Sequence, residues 1–279
     1  MFSADQYELL DFGDGRRLER FGTIVLDRPC PTAEGMTKSD PAAWQRADAR
    51  FDRTDAERGT WTLRTELPPR WTIRHGPLVL EMKRTDFGHV GLFAEQAENW
   101  DWLGAGSLPD RLRVLNLFAY TGGSTLAAAA AGAEVTHVDA AQNIVAWARR
   151  NAELSGAADA PIRWIAEDAP KFVTRELRRG NRYDAVVLDP PSYGHGTHGE
   201  VWRLSKHLPH LLRLCGELTE SPRQFMLLTC HTPGYGPARL AEMATDALGP
   251  GRVTARDMTL RTAAGRELPS GCMVRWEVK

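Results

Sequence analysis

The sequence predicts an α/β protein: an open, mostly parallel sheet covered by helices on both faces, with a smaller β-rich module ahead of it. Three observations predict this. From about residue 105 onward, strand-like and helix-like runs alternate, the texture of parallel strands joined by crossover helices. Before that point the runs are short and β-like, and Pro, Gly and Asp clusters separate them with little helical periodicity. The last two runs, "RVTARDMTLRT" and "CMVRWEVK", are joined only by a short loop, which pairs them antiparallel at one sheet edge and makes the sheet mixed.

In the N-terminal module, "RFGTIVLD", "TWTLRTEL", "WTIRHGPLVLEMKR" and "HVGLFAE" read as β-like runs. The acidic, Pro-containing piece from Pro29 to Thr60 carries little apolar periodicity and reads as a loop or weakly helical connection. "AEQAENWDWLGAG" has helical spacing and a glycine stop, so the expected division is a β-rich module with a connecting helix over 1–104 and the larger domain over 105–279. The larger domain then runs strand "RLRVLNLFAY", a small-residue helix through Ala131, strand "EVTHVD", helix "AQNIVAWARRNAELSG" and strand "PIRWIAED". It continues with helix "APKFVTRELRRG", strand "YDAVVLDPP", a helix within "GEVWRLSKHLPHLLRLCGEL" begun by Glu200 and Trp202, strand "QFMLLTC" and helix "ARLAEMATDALG".

A chain of 279 residues with 42% hydrophobic composition buries a sizeable core. No apolar run approaches the roughly 20 residues a membrane helix needs. The N-terminus "MFSADQYELLDFGDG" has neither the basic nor the apolar segment of a leader, so a cytoplasmic protein with no membrane partner is expected. Cys30, Cys215, Cys230 and Cys272 lie far apart without CxxC spacing, which argues against a local disulfide framework or zinc knuckle. The formal net charge of -1 gives no bulk electrostatic signal for nucleic acid, although a basic patch on one face fits within a neutral total. His195, His198, His207, His210 and His231 invite a metal-cluster reading. The glycine-flanked "HGTHG" reads more economically as a loop that closes over a substrate, and no metal is expected.

Open α/β sheets bind ligands at the carboxyl ends of their strands, where strand order reverses. After the first strand of the larger domain, Gly122 and Gly123 in "NLFAYTGGSTLAAAAAG" permit a tight turn and a close backbone approach. The second strand ends in Asp139, at the distance where an acidic residue holds ribose hydroxyls in nucleotide-binding βαβ units. The third ends in "EDAP", which puts Asp168 at the same edge. Each acid alone reads equally well as a helix N-cap; two of them together with the glycine turn favour a nucleoside-shaped site. The fourth strand ends in "LDPPSYGHG". Asp189 followed by Pro190 and Pro191 makes a stiff turn that presents acceptors and no backbone donors, and Tyr193 is placed to stack on a flat substrate.

Taken together, "GLFAEQAENW", "VLNLFAYTGGSTLAAAAAGAEVTHVD", "ARRNAELSG" and "YDAVVLDPPSYGHG" resemble the class I S-adenosylmethionine-dependent methyltransferases. Within that family they resemble the bacterial group related to the 23S ribosomal RNA cytosine-C5 methyltransferases, over roughly residues 85–279. The resemblance implies a Rossmann-like, seven-stranded mixed sheet, S-adenosyl-L-methionine as cofactor, and methylation of a base in RNA as part of rRNA processing. It implies that Phe118, Tyr120, Thr121, Gly122 and Gly123 surround the methionine moiety, that Asp139 binds the ribose and that Asp168 contacts the adenine. It also implies that Gln96 covers the cofactor from the β-rich side and that Asn151 fixes the helix that carries it. Asp189, Pro190, Pro191 and Tyr193 then form the acceptor edge, with Asp189 also facing the methyl donor.

Two departures stand out. The N-terminal RNA-binding module of longer relatives does not fit in this chain. Cytosine-C5 chemistry needs a thiolate to add to carbon 6, for which Cys230 in "LLTCHTPGYG" is the candidate, and Ser192 stands where many related enzymes have a second cysteine. Two alternatives remain. A nicotinamide-dependent oxidoreductase is disfavoured by the missing GxGxxG, by "DPP" and by the terminal hairpin. A catalytically silent methyltransferase fold that binds RNA or protein is the other.

Overall fold

The fold is described from a computed structural model, over residues 1–55, 58–105, 111–195, 199, 201–221 and 223–279. Contacts divide the chain into two compact units: Met1–Glu98 with Thr259–Ser270, and Asn99–Met258 with Gly271–Lys279. Against the expected single break after residue 104, a short segment near the C-terminus groups with the N-terminal strands.

The N-terminal unit begins with β1 (Tyr7–Gly13), β2 (Arg16–Phe21) and β3 (Ile24–Pro29), followed by β4 (Ala49–Arg53) and β5 (Gly59–Leu63), which form one five-stranded sheet in that order. β6 (Trp71–His75) and β7 (Leu78–Met82) form a separate antiparallel pair. "RFGTIVLD" thus splits into two strands around a turn at Gly22, whose φ of 63° a glycine adopts without strain. The expectation of a loop or weakly helical connection over 29–60 is corrected at its end: two 3-10 turns lie within it, and β4 then joins the sheet beside β3. Its alternation hides behind charge, because "ARFDR" buries Ala49 and Phe51 and leaves Arg50 and Asp52 to pair with each other and with Arg16 and Asp27. "HVGLFAE" is not a strand; Val90 and Leu92 are buried in irregular backbone.

The second unit opens with α1 (Ala97–Ala105, which starts at the boundary), β8 (Arg113–Leu117), α2 (Gly123–Ala130), β9 (Glu134–Asp139) and α3 (Gln142–Leu154). It continues with β10 (Ile162–Ala166), α4 (Ala169–Arg178), β11 (Ala185–Leu188), β12 (Tyr193–His195), β13 (Val201–Arg203) and α5 (Leu204–Leu218). It ends with β14 (Phe225–Cys230), α6 (Pro237–Leu248), β15 (Arg252–Arg261) and β16 (Glu267–Glu277), of which Thr259–Arg261 and Glu267–Ser270 group with the N-terminal unit. The sheet is seven-stranded and mixed, in the order β10-β9-β8-β11-β14-β16-β15. β10, β9, β8, β11 and β14 run parallel, and β16 is antiparallel to β14. The four residues of β11 are all buried, as a central strand covered on both faces requires. α4, α5 and α6 seal one face through Phe172, Leu208, Leu212 and Leu240, packed on Leu115, Val186 and Leu228. Trp202, expected to begin a helix, lies instead in β13, and α5 starts at Leu204.

The topology fixes where a ligand binds. The chain steps from β8 outward to β9 and β10, then returns to place β11 on the other side of β8, so strand order reverses between β8 and β11. Their carboxyl ends carry Phe118–Gly123 and Asp189–Tyr193.

Candidate active site

The turn after β8 is strained. Phe118 and Tyr120 sit at φ 54° and 49°, a region bulky residues rarely adopt, and Gly122 at 89°. Each such residue costs on the order of 1–3 kcal/mol, so the surroundings must over-determine the turn. They do. Ala119 N–H donates to the Val138 carbonyl at 3.1 Å and Tyr120 N–H to Asp139 Oδ2 at 2.9 Å. Buried Asn151 on α3 donates from Nδ2 to the Thr121 carbonyl at 2.9 Å, tying that helix to the turn. Phe118 packs on Trp202 with ring centroids 5.0 Å apart, and Tyr120 faces Trp147 at 6.4 Å.

Beneath the turn, Asn116 Nδ2 donates to Thr125 Oγ1, which shares a 2.9 Å hydrogen bond with His137 Nδ1. Burial pushes the His137 imidazole down to about 3, so it stays neutral. The two glycines divide their work. Gly122 supplies the left-handed turn. A Cβ at Gly123 would run into the Trp100 ring, so this glycine serves helix packing.

Asp139 ends β9 with two roles on one carboxylate. Oδ2 accepts from Tyr120 N–H and Oδ1 from Ala141 N–H at 3.0 Å, which leaves lone pairs on both oxygens for hydroxyl donors. Burial raises its pKa, and the two amides only partly counter this. Asp168 caps α4: Oδ1 accepts from Lys171 N–H at 3.0 Å, with Pro170 in the first turn. Gln96 lies in the N-terminal unit, buried in the 3-10 turn Ala94–Gln96, and its reading as a cover for the cofactor remains a proposal.

At the end of β11, Asp189 Oδ1 is 3.7 Å from His231 Nε2, at the end of β14. Pro190 is buried, Pro191 exposed, and Tyr193 is 49% exposed. Sequence reasoning missed what holds this edge. Trp202 Nε1–H donates to the Pro191 carbonyl at 2.6 Å while its ring covers Phe118, so one buried indole locks the acceptor turn to the strained turn. The sequence carries little signal for it, because Trp202 stands between Val201 and Arg203 in a strand of only three residues. Ser192 Oγ and Thr232 Oγ1 share a 2.7 Å hydrogen bond between the two strand ends.

Cys230 is 1% exposed and lies opposite Cys272 in the β14–β16 register. Its thiol is pushed up, first by burial and also by the nearby Asp189 charge, which leaves it a poor nucleophile. His207 Nδ1 accepts the Arg203 N–H at the start of α5. His198, Glu200 and most of the "HGTHG" loop lie outside the described residues.

A model of the S-adenosylmethionine-dependent methyltransferase family matches residues 49–251, most of the chain. The chain belongs to the S-adenosylmethionine-dependent methyltransferases. Its cofactor is S-adenosylmethionine, and the rim fits it: a half-buried carboxylate with acceptor capacity, a second acid one strand further out, and an over-determined aromatic turn at the strand-order reversal. A crystal structure of an S-adenosylmethionine-dependent methyltransferase from Agrobacterium tumefaciens is 39% identical, with a TM-score of 0.92, and the match covers 98% of this chain and 91% of that one. The ribosomal RNA large subunit methyltransferase I of Aeromonas hydrophila is 37% identical over 108 residues, 38% of this chain and 27% of that protein. The protein of the same name from Escherichia coli O139:H28 is 30% identical over 210 residues, 68% of this chain and 52% of that protein. The methyltransferase therefore spans at most about half the length of these curated relatives.

Proposed function

We propose that this methyltransferase transfers the methyl group to a nitrogen of a base in RNA, presented on the Asp189–Tyr193 edge. The observation that carries the reading is the placement of a donor-free Asp-Pro-Pro turn, with an exposed tyrosine, directly across the strand-order reversal from the strained cofactor turn. The RNA part draws on the relatives named as ribosomal RNA large subunit methyltransferases.

S-adenosylmethionine supplies an electrophilic methyl on a positively charged sulfonium, already a good leaving group. When bound, it would alkylate the lone pair of the acceptor nitrogen, with the C–S bonding pair left on the sulfur of the departing S-adenosylhomocysteine. The protein's work is alignment. Tyr193 stacks on the base, and the Asp189 carboxylate accepts a hydrogen bond from the amino or ring N–H and takes its proton, with His231 3.7 Å away to pass it to solvent.

Cytosine-C5 methylation is the second reading, and it is disfavoured by the burial and raised pKa of Cys230. The test is labelled methyl transfer to total RNA from cells lacking the protein, followed by nucleoside mass spectrometry. An N-methylated base that still forms with a Cys230→Ala variant is expected. A 5-methylcytidine product lost in that variant reverses the choice of atom, and S-adenosylhomocysteine binding without transfer to any RNA favours the silent fold.

A further inference from the structure

We propose that the exposed face of α5 is a phosphate track for single-stranded RNA entering the site, an inference that rests on the RNA reading above. Lys206, His210 and Arg213 are all exposed and recur at spacings of four and three residues, which sets them in one stripe along the helix, and exposed Arg203 stands just ahead of them at its N-cap. The opposite face buries Leu204, Leu208, Leu211, Leu212 and Cys215. The stripe runs about 15 Å from Arg203 to Arg213 at ~1.5 Å per residue, room for a few successive phosphates. No acid interrupts it before Glu217.

The cations are also available. Several surface arginines of this unit are held in ion pairs, such as Arg150 with Glu153, Arg175 with Glu167 and Arg252 with Glu277. Among the described residues, the side chains of Arg203, Lys206 and Arg213 enter no ion pair. In a protein whose net charge is -1, a cationic stripe is local rather than a consequence of composition.

Its position supplies the second argument. α5 follows β13 without a gap, and β13 pairs with β12 so that Arg203 stands opposite Tyr193. Tyr193 is 49% exposed and Val201 is 44% exposed. A base stacked on Tyr193 therefore has its backbone handed to Arg203 and onward to Lys206 and Arg213. An aromatic beside a line of cations is how proteins hold single strands.

The experiment measures fluorescence anisotropy of a labelled single-stranded RNA oligonucleotide as a function of salt. The proteins are wild type, the Lys206→Ala/Arg213→Ala double variant, and Arg252→Ala as a paired-arginine control. Each phosphate contact to a single strand contributes about 0.7 to the log–log salt slope, so the double variant is expected to lose about 1.4 of slope and about tenfold in affinity near 0.1 M salt. Its S-adenosylhomocysteine isotherm stays that of wild type, and Arg252→Ala changes neither quantity. If wild type binds RNA and the double variant binds it equally, or if Arg252→Ala costs as much, the track is overturned and the RNA reading stands. If wild type binds S-adenosylhomocysteine but no RNA, the RNA reading falls and the track with it.

Discussion

At the residue scale, Asp139 carries opposing demands. Its raised pKa, caused first by burial, means that the protonated form favours the fold. That contribution is full below the unfolded value near 3.9 and is lost as pH rises through the raised folded value. In the proposed role, ribose hydroxyls would donate to the charged form. We expect S-adenosylhomocysteine affinity to weaken as pH falls through the raised value. In Asp139→Ala the affinity should be at least about tenfold lower and flat with pH, since a hydrogen bond to a charged group contributes ~1.5–3 kcal/mol. Calorimetry on either side of the transition checks this; equal pH dependence in the variant removes Asp139 from the ribose. That Asp139 and Asp168 stand at one sheet edge was legible because each follows a strand-like run; their ligand contacts are a proposal, and Asp168 also fills the N-cap role that was the alternative. The burial of Cys230 was not, because it depends on β16 lying against β14, a pairing between distant residues.

At the scale of elements, the β12–β13 hairpin holds together two turns that lie far apart in sequence. Trp202→Phe keeps a ring against Phe118 and removes the hydrogen bond to the Pro191 carbonyl. The expected stability loss is ~0.5–1.5 kcal/mol by thermal or denaturant unfolding. S-adenosylhomocysteine affinity should change little while turnover falls at saturating RNA. Turnover equal to wild type would reduce Trp202 to core packing. The alternation of strands and helices in the second unit was legible because its apolar runs are long and clearly bounded. β4 was not, because its solvent side reads as a charge cluster, and β13 was not, because three residues before a helix carry no period of their own.

At the scale of the molecule, the N-terminal unit is held by buried charge. Asp11 accepts hydrogen bonds from Phe12, Ser39 and Asp40 N–H and from Trp44 Nε1, and pairs with Arg266 at 2.6 Å. Burial pulls its pKa up, but the bonds from Trp44, Asp40, Ser39 and Phe12 outweigh it and leave the group below its ordinary value. In Glu19, burial is likewise outweighed, by Arg17 and Arg28. Both contribute stability that is present above the unfolded pKa and is lost as pH falls through the lowered folded one. Asp11→Asn is expected to cost about 3–5 kcal/mol at neutral pH. In denaturant titrations its deficit should close in strong acid; a deficit that persists there would assign the effect to shape rather than charge.

Because Thr259–Ser270 belongs with the first 98 residues, the polypeptide passes between its two units three times. No single scissor cut separates them. A gene fragment that starts at Asn99 would still carry a greasy stub, buried Leu260 and Leu268, without the segment it groups with. For this enzyme the front module is woven in, not prefixed, and attempts to trim it should yield aggregates rather than a minimal catalyst.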